Sequence, residues 1–289
     1  DRDSMVIVQL SGGLGNQMFE YALYLKLQSM GKEVFLDDVT CYGPGQRTKQ
    51  LDVFGLSYRA AGPRQLREMT DSFADPVSRI RRKLFGRKDL SYREASCDFD
   101  PLVFRKEPAL LQGCFQSERY FEDIQDQVRN AYRFRNLVFN ERVKGYRERI
   151  LEKKGRAVAV HLRRGDYLDP KFFGLYQGIC TDEWYEKAIY TMKKRVPDAV
   201  FFFFSNDPDW VKEHYSGRDL VTVEGGSEDA GYEDLYLMHL CSHQIIANSS
   251  FSWWGAWLNE NPKKIVIAPS RWLNGRSCRD IYTKEMTVL

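Results

Sequence analysis

The sequence predicts an α/β fold with two doubly wound, mainly parallel sheets, one in each half of the chain. Apolar runs of strand length alternate with helical patterns in both halves, and glycines or N-cap residues stand at many of the turns between them. At 289 residues the chain is long enough for two medium domains, and with 43% hydrophobic and 29% charged residues it is typical of globular proteins. We place the domains at 1–150 and 151–289, with the linker in 133–156.

The first domain opens with a strand, a helix and a second strand. Met5 to Leu10 form an apolar run, and the apolar residues between Met18 and Met30 have helical spacing. A polar loop follows at 41–50, and the pattern then becomes less regular. The elements predicted for this domain are strands at 5–10, 33–37 and 109–113 and helices at 16–30, 117–132 and 140–153.

The second domain alternates more evenly between strands and helices, which is typical of a parallel sheet with helical crossovers. Gly155 ends the preceding helix, and the alternation begins at Arg156. The predicted strands are 157–162, 199–204, 219–223, 243–247 and 264–268. The predicted helices are 181–195, 208–214, 231–240 and 250–259.

Two adjacent arginines end the first strand of the second domain, in the run HLRRGDY at 161–167. Ligands of open α/β sheets bind outside the carboxyl ends of the strands. A pair of guanidinium groups there suits a diphosphate, because each planar fork binds two oxygens at once. His161 and Arg163 have the same strand parity and therefore face the same side. A solvated strand end is the competing interpretation of the arginines.

A second segment, NSSFSWWGAWL at 248–258, is rich in hydroxyls and tryptophans and follows the apolar run at 243–247. Asn and Ser are preferred N-cap residues, so a helix is predicted to begin near Ser250. N–H groups, hydroxyls and the positive end of a helix dipole together bind anions. The tryptophans are predicted to lie in the core. The alternative for the polar residues is an ordinary helix cap, but the hydroxyl run exceeds what one cap requires. The side chains assigned to the anion are Asn248, Ser249, Ser250 and Ser252.

A glycine-rich turn, SGGLGNQ at 11–17, follows the first strand. Its spacing differs from the dinucleotide-binding fingerprint, and no Gly-Lys-Ser/Thr follows it as in a P-loop. Glycines let the backbone approach a ligand closely, but they equally permit a tight strand-to-helix turn.

Together the three segments 12–17, 161–167 and 248–258 resemble the hallmark stretches of α-1,2-fucosyltransferases, glycosyltransferase family 11, of the bacterial type. The tryptophan-rich segment discriminates best, because the related α-1,6- and protein O-fucosyltransferases share only the His-x-Arg-Arg element. The resemblance extends from residue 5 to about residue 270. It implies a GT-B fold with two Rossmann-like domains facing a cleft, the N-terminal domain on the acceptor side and the C-terminal domain binding GDP-fucose.

The resemblance also implies roles for donor-binding residues. Arg163 would contact the diphosphate and act in catalysis, and His161 would lie near the guanine. Arg164 would be a second anion contact or would orient the loop. Asp234 matches the position expected to read the base, since a carboxylate suits the adjacent N–H donors of guanine; the alternative is a first-turn acidic residue favoured by the helix dipole.

On the acceptor side, the resemblance places Asn16 at the cleft, where it would orient donor or acceptor, together with Gly13 and Gln17. Asp166 would accept hydrogen bonds from an arginine, act in catalysis or hold its loop. Inversion at the anomeric carbon requires the acceptor hydroxyl to attack opposite the leaving group, often with a base to take its proton. Asp166, Asp169 and Glu20 are the candidates for that base, and none stands out.

We expect no cofactor and no metal. Asp98-x-Asp100 and Asp207-x-Asp209 have the spacing of a metal-binding acidic pair, but such pairs are common by chance. Asp207 is more simply an N-cap with Pro208 at the first helical position. The arginines supply the positive charge that a metal would bring to the departing diphosphate.

The predicted function is inverting, metal-independent transfer of L-fucose from GDP-β-L-fucose to the 2-hydroxyl of a terminal β-galactose in an oligosaccharide or glycan. One alternative is a fucosyltransferase of another linkage, such as α-1,6. A second is a non-catalytic protein that binds nucleotide sugars or glycans.

Charge and cysteine usage bear on partners and compartment. A net charge of +3 is too small to indicate nucleic-acid binding, and the six cysteines form no CxxC pair. With no apolar run long enough to span a membrane, we expect a cytoplasmic bacterial enzyme. The segment 79–93 is strongly basic, with Ile80, Leu84 and Phe85 at helical spacing, a pattern that favours a solvated helix face. Peripheral contact with an anionic membrane surface is the alternative hypothesis.

Overall fold

The computed structural model describes residues 3–164 and 174–289. The chain divides into two compact units, Asp1–Ala131 and Tyr132–Leu289, called unit 1 and unit 2 below. Each unit contains one sheet, and the described strand pairs are parallel. The predicted α/β class, with a mainly parallel sheet in each half of the chain, is confirmed.

Unit 1 is built on a four-stranded sheet. Its strands are β1 (Met5–Gln9), β2 (Glu33–Asp37), β3 (Ser91–Arg93) and β4 (Ala109–Gln112). Its helices are α1 (Leu14–Ser29), α2 (Pro63–Thr70), α3 (Pro76–Phe85) and α4 (Gln125–Ala131). The strand order β2-β1-β4-β3 puts β2 on one side of β1 and β4 on the other. Such a switch point opens a crevice at the carboxyl ends of the two central strands.

The core of unit 1 explains why the sequence pattern located β1 and α1 but not α2. β1 buries its first four residues, and α1 buries residues around most of its circumference. In α2, Met69 is the one buried residue and Leu66, three positions before it, is partly buried; two such positions in an eight-residue helix are too few for a recognisable period. Met69 nevertheless packs into the same cluster as Met5 and Leu110 of the sheet.

Unit 2 is built on a six-stranded sheet in the order β10-β9-β8-β5-β6-β7. The strands are β5 (Ala157–Leu162), β6 (Val200–Ser205), β7 (Leu220–Val223), β8 (His243–Ile245), β9 (Val266–Ala268) and β10 (Met286–Val288). The helices are α5 (Glu141–Glu152), α6 (Asp182–Arg195), α7 (Pro208–His214), α8 (Gly231–Leu240) and α9 (Ser250–Trp257). β5, β6 and β7 follow one another towards one edge of the sheet. The chain then passes through α8 to β8, which lies on the other side of β5. The switch point of unit 2 therefore lies between β5 and β8.

The helix α5, which the sequence pattern assigned to the first domain, lies in unit 2. Arg142 donates to Glu233 at 3.0 Å and to Asp234 at 2.5 Å, both in α8. Arg147 donates to the hydroxyl of Tyr236 at 3.1 Å. These polar contacts hold the helix, and they leave no trace in the apolar pattern.

Other differences from the sequence prediction are small. The helix predicted at 117–132 consists of two short 3-10 turns followed by α4. The strands β3 and β10 were missed; each has three residues, too few for a recognisable alternation.

The tryptophans of α9 are core residues, as predicted. Trp253 and Trp254 are fully buried, and the Trp253 indole donates to the carbonyl of Ile281 at 2.7 Å. A Cβ atom at Gly255 would lie 3.1 Å from that of Met238, so the glycine permits the close packing of α9 on α8. This packing fixes the start of α9 at the edge of the sheet.

Within the described part of the chain, none of the helices combines the length and the apolar character needed to cross a lipid bilayer.

Candidate functional site

The switch point of unit 2 brings two of the sequence segments together. β5 and β8 are paired in parallel, with Val158 opposite His243 and Val160 opposite Ile245. Their carboxyl ends are therefore adjacent. The ring of His161, at the end of β5, lies 5.6 Å from the ring of Phe251 in the first turn of α9. This is the convergence of strand end and helix start that the sequence predicted.

His161 is buried, and its Nδ1 has no hydrogen-bond partner among the described residues. Burial, and secondarily the charge of Arg163, lowers the pKa of His161 to about 3. The imidazole is therefore neutral near neutral pH and can serve a ligand as a hydrogen-bonding group, not as a cation. A buried polar atom without a partner costs stability. An unpartnered Nδ1 in this position is therefore typical of a group that binds a ligand.

The backbone that carries Arg163 is braced from α6. The Tyr185 hydroxyl donates to the carbonyl of His161 at 2.8 Å, and the N–H of Arg163 donates to that hydroxyl at 3.4 Å. Arg163 is half-buried. A half-buried guanidinium keeps its charge, whereas the neighbouring imidazole loses its own.

Arg164 is held by carboxylates on the surface. Its guanidinium lies 3.3 Å from Asp182 and 3.9 Å from Asp207, and it stacks 3.5 Å from the centre of a Trp210 ring. Its N–H and carbonyl exchange hydrogen bonds with the side chain of Asn206, both at 3.0 Å. Of its two predicted roles, these contacts favour orienting the loop over binding an anion.

The polar side chains before α9 mostly build the turn itself. The Ser249 hydroxyl caps the helix by accepting from the N–H of Phe251 at 3.2 Å, and the Ser252 hydroxyl accepts from Ala247 at 3.2 Å. Asn248 donates to the carbonyl of Trp272 at 3.2 Å. These three residues are buried, whereas Ser250, the first residue of the helix, is half-buried. The donor-binding role of the four residues stays a prediction, and Ser250 is the best placed for it.

Asp234 lies in the first turn of α8 and is paired with Arg142 through Oδ1. Burial raises the pKa of Asp234, and the guanidinium opposes that shift. The backbone of Gly226 passes so close that a Cβ there would lie 2.8 Å from Oδ2. The sequence missed Arg142, because nothing in the local pattern of α5 points to α8. That Asp234 reads a base stays a prediction.

The switch point of unit 1 gathers a second group of polar residues. Gly12 has a φ of +69°, and Gly13 is the N-cap of α1. The amide of Gln116, which follows β4, donates to Oδ1 of Asn16 at 2.8 Å. Asn16 is thus fixed between the ends of β1 and β4. Gln116 was missed because the sequence does not reveal that these two strands are neighbours.

Gln17 and Glu20 support this turn from inside. Gln17 is buried and donates to the carbonyls of Gly12 and Thr48, both at 3.1 Å. Glu20 is fully buried, and its two oxygens accept from the hydroxyl and N–H of Ser11 at 2.6 and 2.8 Å. Glu20 cannot reach a substrate hydroxyl, so its place among the candidate bases was wrong. The acceptor role predicted for Gly13, Asn16 and Gln17 stays a prediction.

Glu94, which the sequence analysis missed, holds the loop that carries Gln116. Its carboxylate accepts from the N–H groups of Cys114 at 3.2 Å and Phe115 at 3.0 Å. Phe115 has a φ of +48°, a conformation that L-residues avoid and that turns both N–H groups towards Glu94. Burial raises the pKa of Glu94 to about 7, although the two hydrogen bonds lower it.

Asp166 and Asp169, with the rest of 165–173, lie outside the described residues. In the described part of the chain, no three His, Cys, Asp or Glu side chains are grouped as metal ligands. Asp207 is the predicted N-cap of α7, since it accepts from the N–H of Trp210 at 3.1 Å. Asp100 accepts from Leu102 at 2.9 Å and from the hydroxyl of Tyr92 at 2.6 Å.

The family model described as Glycosyl transferase family 11 matches residues 95–288 of this chain. The chain belongs to glycosyl transferase family 11. It is therefore a glycosyltransferase, and the family resemblance noted in the sequence is confirmed.

Named relatives cover most of this family 11 chain. An alpha-1,2-colitosyltransferase of Escherichia coli is 31% identical over 282 residues, which are 93% of this chain and 92% of that protein. The galactoside alpha-(1,2)-fucosyltransferase 1 of Rattus norvegicus is 27% identical over 260 residues, 86% of this chain and 61% of that protein. Among solved structures, a crystal structure of NodZ alpha-1,6-fucosyltransferase soaked with GDP-fucose is 14% identical, with a TM-score of 0.47 and coverage of 92% and 95%.

A substitution at Gly12 tests whether the position of Asn16 matters. A Cβ at Gly12 would lie 2.5 Å from Nδ2 of Asn16, so Gly12→Ala must displace that amide. We expect about a 100-fold loss of kcat/KM, the size that a displacement of roughly 1 Å can cause. Gly31→Ala is the matched control, because Gly31 has a φ of +78° but open space around its Cβ. It should lose stability without losing activity; equal activity losses would show that backbone strain alone is responsible.

Glu94→Gln tests the pH dependence of stability. The raised pKa means that between pH 4.5 and about 7 the folded chain holds a proton that the unfolded chain has released. The contribution of Glu94 to the free energy of unfolding therefore falls as pH rises through this window and is level above it. We expect the difference in unfolding free energy between wild type and Glu94→Gln, measured by urea titration, to fall over the same window. A difference that is constant or rises with pH would contradict this assignment.

Proposed function

We propose that this family 11 enzyme transfers L-fucose from GDP-β-L-fucose to the 2-hydroxyl of a terminal β-galactose, with inversion at the anomeric carbon and without a metal ion. The observation that carries the proposal is the convergence of His161, Arg163 and the start of α9 at the β5–β8 switch point. That position is where open parallel sheets bind nucleotides. The α-1,2 linkage in the names of the relatives supports the linkage proposed here.

The chemistry of this reaction matches the groups at the site. As the bond to the sugar breaks, negative charge grows on the leaving diphosphate, and a fixed cation stabilises that charge more than it stabilises the ground state. Arg163 supplies the cation and a planar fork of donors. The neutral His161 and the first turn of α9 add hydrogen-bond donors without an additional full charge.

The proposal that the reaction needs no metal rests on the assignment of the positive charge to Arg163. Asp100 and Asp207, one member of each acidic pair with metal-binding spacing, act as caps in the fold. The positive charge that the diphosphate needs is proposed to come from Arg163 instead. No cofactor beyond the donor substrate is required for this reaction.

The donor sugar is the point on which the relatives differ in name, since one is a colitosyltransferase and another a fucosyltransferase. Transfer of colitose is therefore the second candidate function. The tryptophan-rich segment favours the α-1,2 linkage over an α-1,6 linkage, and family membership argues against a protein that only binds.

The compartment is part of the same proposal. We infer a bacterial enzyme of the cytoplasm, peripheral to the membrane through the basic segment 79–93. The six cysteines form no disulfide bond, as in most proteins of a reducing compartment.

Incubation of the purified chain with lactose in EDTA, and with GDP-fucose or GDP-colitose in parallel, tests the proposal. We expect a 2-linked fucosyl product from GDP-fucose at a rate that EDTA does not change. A different linkage, a product only from GDP-colitose, or donor binding without product would each replace it with the corresponding alternative. Loss of activity in EDTA that magnesium restores would refute metal independence alone.

Substitution of Arg163 measures its share in the reaction. We expect Arg163→Ala to lose about 3–4 kcal/mol of transition-state stabilisation, read from the fall in kcat/KM, with the fold intact. This is the range of a lost oxyanion donor. Arg163→Lys should restore little, because one ammonium cannot replace a bidentate fork. Arg218→Ala, at an exposed arginine, is the control and should leave activity unchanged. Near-native turnover of Arg163→Ala would count against the assignment.

A further inference from the structure

The helix α3 exposes a row of large apolar side chains. Val77, Ile80, Leu84 and Phe85 are 76, 59, 69 and 82% exposed, and the helix has no buried residue. The first three are spaced i, i+3, i+7 and therefore lie on one side of the helix. Burying such a row would be favourable, so its exposure indicates that something covers it.

Polar contacts, not apolar packing, hold α3 in place. Asp75 caps the helix by accepting from Ser78 at 2.9 Å, and Pro76 occupies its first position. On the inner side, Arg81 donates to the carboxylate of Asp71, and Arg82 donates to the carbonyl of Phe73 at 2.6 Å. Val77, Ile80, Leu84 and Phe85 stay exposed while these contacts fix the helix to unit 1.

Cations border the apolar row. Arg79 and Lys83, each within one turn of Ile80, are exposed and form no ion pair among the described residues. Arg87 and Lys88 follow the helix and are exposed as well. Between 79 and 93 the chain has seven basic residues and one acidic residue, Asp89. An apolar row flanked by lysine and arginine is complementary to a surface with an apolar interior and anionic headgroups.

We propose that α3 docks on an anionic phospholipid surface, with Val77, Ile80, Leu84 and Phe85 inserted between the headgroups and Arg79 and Lys83 paired with them. A protein partner of matching shape would need a carboxylate row beside an apolar groove, whereas a phospholipid surface offers both features everywhere. The inference deepens the membrane contact proposed above for segment 79–93, on which it rests, and it does not depend on the transferase activity.

The test is co-sedimentation of the full chain with vesicles of phosphatidylcholine alone or of phosphatidylcholine and phosphatidylglycerol in equal amounts. We expect binding to the anionic vesicles only, weakening as salt is raised. Arg79→Gln/Lys83→Gln should lower the partition coefficient about thirtyfold, since each cation near such a surface contributes about 1 kcal/mol. Ile80→Ser/Leu84→Ser/Phe85→Ser should lower it at least about tenfold through lost apolar burial.

Matched controls make the same changes of charge and of apolar surface at positions outside α3. Lys187→Gln/Lys263→Gln removes two exposed cations, and Val39→Ser/Leu102→Ser/Val138→Ser removes three exposed apolar side chains. Both controls should bind vesicles as wild type does. Arg81 and Arg82 are unsuitable for this test because they anchor the helix.

Three results would overturn the proposal: no binding of wild type to anionic vesicles at low salt, equal loss in the controls, or unchanged binding of the α3 variants. Self-association of wild type that the triple serine variant abolishes would instead identify the row as a contact between copies of this chain. Activity on soluble lactose should be the same in all these variants. A failure of the transferase assay would therefore be distinguishable from a failure of membrane docking.

Discussion

The parallel pairing of β5 with β8 is the constraint on which the site in unit 2 depends. The two strands are separated by about eighty residues of chain, yet their register places the end of one beside the end of the other. His161 and Arg163 extend from the first strand, and the N-terminus of α9 follows the second. Because buried parallel strands are locked by hydrogen bonds and by their apolar faces, these groups are held in position before a ligand arrives. The same relation, between β1 and β4, holds Asn16 against Gln116 in unit 1.

Several of the candidate residues at the β5–β8 switch point are used to build the fold around it. Within the hydroxyl-rich segment, Ser249 and Ser252 satisfy backbone N–H groups of the turn. Of the two arginines, Arg164 is held by carboxylates and Trp210. A composition that suits phosphate binding is thus partly used to satisfy the buried backbone of an irregular turn, where unpaired groups are costly. This explains why the motifs are longer than a phosphate contact requires.

Local pattern was enough to predict the long elements and the two segments at the β5–β8 switch point. Apolar runs located most strands, and the caps located the starts of α7 and α9. What the sequence did not reveal are the contacts between distant segments. Gln116 and Glu94 matter only because β4 is the neighbour of β1 and β3, and Arg142 only because α5 packs on α8. The helix α2 was missed for a different reason, since an eight-residue helix with two core-facing apolar residues, Leu66 and Met69, is too short to show a period. Glu20 is excluded as a base because it is buried. The sequence of a helix does not show whether a carboxylate in it is buried.

Burial has opposite consequences for the two side chains at the end of β5, and this difference defines their roles. The intrinsic pKa of histidine lies near neutrality, so desolvation is enough to remove its charge, and the nearby Arg163 strengthens the effect. Arg163 beside it carries the positive charge of a guanidinium. The pair therefore presents one permanent cation and one neutral imidazole throughout the physiological pH range. In the proposed reaction, a leaving diphosphate would need positive charge at its oxygens and hydrogen bonding around it, and a permanent cation beside a neutral imidazole would offer both without a titration step near neutral pH.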